Sequence, residues 1–150
     1  MKKLFLLPIL LIGLFLTTNA FAANSSQSCA ESFLTDDHRV ILITCAFVGD
    51  DADGSVPNAT STMTLHGTVV KICTDPGSPA PTDNWDLAVL EANYSNGDFA
   101  GGGLVDRDTT VSECLPFSPG LRIDGTITSV VSGNSVNSAV GTIYITIELK

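Results

Sequence analysis

Three acids crowd one short stretch of the chain, Asp50-Asp51-Ala52-Asp53-Gly54. Oxygen-rich loops of this kind hold Ca2+. An EF-hand needs acids at its first, third and fifth positions and a Glu at the twelfth. With Asp51 and Asp53 as third and fifth, Gly49 falls first and Thr60 twelfth, so an EF-hand is excluded. A looser Ca2+ site on Asp50, Asp51 and Asp53 stays open beside the plainer reading of solvated turn acids. The sequence suggests no other cofactor.

Paired carboxylates can do glycosidase work, one as acid and one as base or nucleophile. Asp83/Asp86 and Asp106/Asp108 are the candidate pairs, and Asp106 and Asp108 at i, i+2 would share a strand face. Trp85, Tyr94 and Phe99 could form a sugar-stacking platform, although buried aromatics are the commoner use of such residues. His38 and His66 are the sole histidines, and neither lies in an H-E-x-x-H motif. There is no G-x-S-x-G elbow. These absences favour a chain that is not an enzyme.

Cys29, Cys45, Cys73 and Cys114 carry the clearest chemistry. An even count suits disulfides in an oxidising compartment. No C-x-x-C spacing or His in register supports a metal site. Four Cys allow three pairings, and the sequence alone does not choose. The local pairing, Cys29–Cys45 with Cys73–Cys114, is favoured. It requires the segments around 29 and 45 to be neighbouring strands.

An oxidising compartment fits the first residues. Lys2 and Lys3 precede an apolar run from Leu4 to Leu16, and Ala20-Phe21-Ala22 follows. This is the layout of a secretory signal cleaved after residue 22. The run is shorter than the ~20 apolar residues of a membrane helix, so no stable membrane insertion is expected after cleavage. Losing its two Lys would deepen the net charge from -9 to -11. Such a balance opposes binding to nucleic acid or anionic lipid. Residues 23–150 are read as one secreted or periplasmic domain.

The rest of the chain reads as strands and turns. Val40 to Val48 is a mostly apolar, β-branched run suited to a central strand buried on both faces. Ala59 to Thr74 alternates, with Met63, Leu65, Gly67 and Val69 on one parity. Val70 and Ile72 then switch parity, which predicts a bulge near Gly67 or Val69. The Pro-rich stretch from Asp75 to Pro81 ends that strand. Trp85 to Tyr94 could be helix or strand. The turn signal Ser95-Asn96-Gly97-Asp98 favours strand. Leu121 to Val131 and Val140 to Leu149 both alternate and are expected to pair as a hairpin. Seven or eight short strands with almost no helix period predict an antiparallel β-sandwich, Ig-like or jelly-roll-like.

Residues 66–110 add a resemblance. The stretch His66-Gly67-Thr68-Val69-Val70-Lys71-Ile72-Cys73-Thr74-Asp75-Pro76-Gly77 is followed by Ala80-Pro81-Thr82-Asp83-Asn84-Trp85-Asp86-Leu87. With Asn96-Gly97-Asp98, Gly101-Gly102-Gly103 and Asp106-Arg107-Asp108-Thr109, it resembles a group of small tailed-phage structural proteins. The resemblance implies a strand, a Pro-rich loop and a second strand, and a virion-surface or assembly role. The export signal and four Cys depart from that pattern. The expected function is a non-catalytic, exported structural or surface-interaction module. Its partners would be protein or glycan surfaces, or further copies of itself. A carbohydrate-binding or adhesin-like domain is the alternative, and a small exported hydrolase the third reading.

Overall fold

The structure, a computed structural model, describes residues 24–93, 98 and 104–150. The signal stretch, Tyr94, Phe99 and the Ser95-Asn96-Gly97 turn lie outside them. The described residues form eight strands: β1 Ser26–Phe33, β2 Val40–Val48, β3 Ala59–Thr60, β4 Leu65–Pro76, β5 Asp86–Glu91, β6 Glu113–Gly125, β7 Ile127–Ser132 and β8 Val140–Leu149. One sheet has the order β1-β2-β8-β4-β6, the other β3-β7-β5. All strand pairs are antiparallel.

The pairing is nested. Strand β2 pairs with β8, β3 with β7 and β4 with β6. Antiparallel bridges place Asp98 beside Leu90 of β5 and Arg107 beside Trp85, just before it. The chain from β2 to β8 is therefore one long hairpin whose two arms fold together, crossing repeatedly from sheet to sheet. That is the jelly-roll arrangement, with β1 added at the edge beside β2. The choice between Ig-like and jelly-roll-like resolves to the second.

Alternation explains the layers. Ile41, Ile43, Cys45 and Phe47 of β2 and Ile143, Ile145 and Ile147 of β8 face inward and are buried. Leu87 and Val89 of β5 and Ile127 and Val131 of β7 meet them from the smaller sheet in a single cluster. Full burial of each such side chain contributes about 1.5–3 kcal/mol.

Several expectations hold. The Asp86–Glu91 segment is a strand. The bulge falls between Val69 and Lys71, where the registers of β4 against both β6 and β8 slip. Others need correction. Strand β2 is not sealed on both faces: its burial alternates, because the outer face of the five-stranded sheet meets solvent. Strand β4 runs on to Pro76, paired with Gly141. Residues 61–64 break the expected continuous strand between β3 and β4.

The hairpin expected from 121–131 and 140–149 does not form. The chain leaves the larger sheet at the end of β6 and enters the smaller one as β7, while β8 returns to the larger sheet between β2 and β4. Strands β7 and β8 thus face each other through the core instead of lying side by side. Alternation marks which face is apolar and is silent about which strand lies alongside.

Gly67 shows how tightly the larger sheet is drawn together. A Cβ there would lie 2.2 Å from the Glu148 carbonyl oxygen. That oxygen belongs to the backbone of β8, so the strands themselves must move apart. Gly67→Ala is expected to cost about 1–3 kcal/mol in urea unfolding. An unchanged midpoint would refute the close approach.

Candidate functional site

The two disulfides come first because they constrain everything else. Cys29 stands directly opposite Cys45 across β1 and β2, and Cys73 opposite Cys114 across β4 and β6. Both bonds are formed, each with Cα atoms 4.0 Å apart. The favoured local pairing is the observed one. Each bond ties an outermost strand of the larger sheet, β1 or β6, to its inner neighbour. Such bonds form in oxidising compartments, as outside the cell or in a periplasm. Among the described residues, no helix is long and apolar enough to cross a membrane.

The acidic loop after β2 is turned in on itself. Asp50 is buried, and its carboxylate accepts the Ala52 amide at 2.7 Å. The Asp53 carboxylate accepts the Ser55 amide at 2.9 Å. Among the described residues, no three His, Cys, Asp or Glu side chains converge as a metal set. The Asp50 and Asp53 carboxylates thus serve their own loop, and the three acids are not drawn together as a side-chain set. Asn134, which the sequence reading missed, ties this end together: it accepts the Thr82 amide and donates to the Gly54 carbonyl.

Of the aromatic platform, Trp85 is taken by the core. Trp85 is 0% exposed, and its ring packs 5.6 Å from that of Phe47. Neither face is available to a sugar. Tyr94 and Phe99 lie outside the described residues.

One carboxylate of each acid pair is engaged by backbone amides. Asp86 accepts the Asp106 amide at 3.0 Å. The Asp108 carboxylate takes the Thr110 hydroxyl at 2.7 Å and the Thr110 and Val111 amides at 2.5 and 3.1 Å. The Thr110 hydroxyl, then those amides, hold Asp108 below the usual carboxylate range. The Thr35 hydroxyl does the same for Asp37, and the Ser55 amide for Asp53. A carboxyl lowered in the folded state adds stability above its unfolded value of about 3.9. That stability is lost as pH falls through the folded value. Asp108→Asn should therefore flatten the decline of Tm between about pH 5 and pH 2. A decline parallel to that of the parent would contradict this role.

One cluster that sequence reasoning missed remains. Glu91, Asn93, Arg122 and Asp124 line a recess of about 250 Å3 where β5 ends beside the end of β6. Glu91 Oε1 accepts the Asp124 amide at 3.2 Å. The Asn93 amide donates to the Asp124 carbonyl. These two side chains occupy backbone groups of β6 where it forms the sheet edge. Gly125 allows it, since a Cβ there would lie 2.7 Å from Glu91 Oε1. On the outer face, the Asp124 carboxylate meets His66 Nδ1. A signal for Glu91 did exist: Trp85, Leu87, Val89 and Glu91 share one parity, which puts an acid on an apolar face.

No family model matches this chain, and no curated protein or solved structure matches it. The functional reading therefore stands on the strand pairing, the disulfides and this recess.

Proposed function

We propose that this chain is an exported, non-catalytic jelly-roll domain that acts through its surface as a structural or interaction module. The observation that carries the reading is the nested pairing with both outer strands of the larger sheet locked by disulfides. A shell fastened this way presents fixed surfaces. Asp86 and Asp108, one from each acid pair, and Asp50 and Asp53 of the acidic loop accept backbone amides, which leaves these four poorly placed as reactive groups. Jelly rolls recur in capsid and lectin domains. By that fold-level analogy, and by the resemblance over residues 66–110, a virion-type assembly module adapted for export is the favoured ancestry.

The edges suggest where copies would join. Strand β6 carries Pro116 and Pro119, which blunt an edge. Strand β3 has two residues, and Asp98 bridges to Leu90 on β5. Strand β1 pairs over eight residues without Pro or bulge, so its outer side suits strand addition. Sedimentation velocity and negative stain should show concentration-dependent assembly that Ala30→Lys abolishes, with Tm unchanged. Hydrolytic turnover that disappears in a folded Asp106→Asn variant would overturn the non-catalytic reading.

A further inference from the structure

Strand β1 offers its backbone groups in a fixed pattern. The Leu34 amide donates to the Val40 carbonyl at 2.8 Å, so the even residues of this hairpin turn their backbone groups toward β2. Cys29 and Cys45 stand opposite each other with Cα atoms 4.0 Å apart, the close spacing of a pair that shares no backbone hydrogen bond. Gln27, Cys29, Glu31 and Phe33 therefore point their N–H and C=O groups away from β2. Among the described residues, β1 is the outermost strand of its sheet, and no backbone hydrogen bond crosses its open side.

The side chains leave that side clear. Glu31 accepts the Thr62 amide at 2.6 Å and the Thr62 hydroxyl at 3.0 Å, and Ser129 holds the Gln27 side chain. Ser28, Ala30 and Ser32 alternate with these residues on the opposite face, and all three are small and exposed. Edges that avoid pairing carry Lys, Pro or a bulge, and β1 has none of these. Phe33 at its end is 43% exposed.

An occupant of this edge must be an extended strand with matching groups, and β1 itself matches. Two copies can pair antiparallel about a two-fold axis. The axis passes at a residue, because the free groups sit on alternate residues. An axis at Glu31 would set two carboxylates opposite each other, which destabilises a sheet. An axis at Cys29 would carry Phe33 past the end of the partner's strand. An axis at Ala30 pairs Gln27 with Phe33 and Cys29 with Glu31, so every free residue is used and Phe33 is covered. Ala30 then meets its own copy, and Ser28 meets Ser32, in close pairs about 4.5 Å apart at Cα that suit small residues.

We infer that a second copy of this chain pairs through β1, antiparallel about a two-fold axis at Ala30, and joins the two five-stranded sheets into one. The dimer rests on the reading of the domain as an interaction module, and gives that module its partner and register. A two-fold contact uses up the edge on both copies, and Pro116 and Pro119 blunt β6, so assembly stops at two.

The full chain, with both disulfides formed, is followed by sedimentation velocity over a range of concentrations. A reversible dimer and nothing larger is expected. It should be lost in Ala30→Lys at the parent Tm, because two ammonium groups then meet on the axis. Variants with one added Cys are oxidised, and mass after alkylation confirms that the native bonds remain. Ala30→Cys should give a covalent dimer. Ser28→Cys alone should not, whereas a mixture of Ser28→Cys and Ser32→Cys chains should. This pattern decides the matter should Ala30→Lys fail to fold. Cross-linking of Ser28→Cys as readily as Ala30→Cys overturns the pairing, as does a dimer that survives Ala30→Lys or growth beyond two copies. Each of these outcomes leaves the module reading standing. A chain that stays monomeric also overturns the pairing, whether or not its edge takes up another protein's strand. Turnover in the parent and in Asp106→Asn tests the non-catalytic reading separately, so the two failures are told apart.

Discussion

Removing the Cys73–Cys114 bond, as Cys73→Ala with Cys114→Ala, should lower the unfolding free energy by about 4 kcal/mol. The bond closes a separation of 41 residues, and loop closure of that length restricts the unfolded chain by about that amount. Little packing loss should be added. Cys114 is exposed, and Cys73, though only 9% exposed, lies outside the main core cluster. The Cys29–Cys45 bond closes 16 residues, worth about 3 kcal/mol by the same reasoning. Cys45 is 0% exposed within the core, so truncation there also opens a void. Loss of both bonds would remove about 7 kcal/mol, against a typical domain stability of about 5–15 kcal/mol. Urea unfolding of the two double variants and of the fully reduced protein measures these quantities. A reduced chain, confirmed by mass, with an unchanged midpoint would overturn the account. Exposure of Cys114 adds an order: mild reductant should open Cys73–Cys114 before Cys29–Cys45.

Trp85→Ala should cost about 3–5 kcal/mol, the range for emptying a large aromatic site in a core. The indole is fully buried against Phe47, which itself occupies the space a side chain at Gly141 would need. Trp85, Phe47 and Gly141 thus link the smaller sheet to β2 and β8 of the larger one. The protein holds one Trp, so its fluorescence reports this contact directly. Native emission should be that of a buried indole and should shift to the red in a single transition with urea. Trp85→Phe keeps an aromatic ring in the space and should lose much less. If Trp85→Ala lowers stability by under about 1 kcal/mol, the indole is not the packing element it appears in the structure. Glycan binding lost in Trp85→Ala would therefore report unfolding.

Part of the recess was legible in the chain. Glu91 interrupts an apolar parity, and that conflict between residue type and strand face signals a buried carboxyl group that needs an explanation. Arg122 and Asp124 gave no such sign, because they alternate outward as polar strand residues ordinarily do. Nothing local relates residues 91–93 to 122–124. They meet because β6 ends at Gly125 and the chain then crosses to the smaller sheet, which carries β5. The acidic loop misled for a related reason. Three nearby carboxylates look like ligands in sequence, yet Asp50 and Asp53 are engaged by the amides of their own loop.

Local chemistry determined the strand class, the inward faces, the bulge after Val69 and the availability of four Cys for two bonds. Each follows from alternation, turn residues or compartment, and needs no knowledge of distant neighbours. Only the tertiary structure decided that β8 lies between β2 and β4, that β6 and β7 belong to different sheets, and that Trp85 is core. The reason is physical. A period of two residues tells each strand which face to bury, but many antiparallel neighbours can satisfy that face equally well. The winning arrangement is the one that closes both sheets over a single core and sets each Cys opposite its partner.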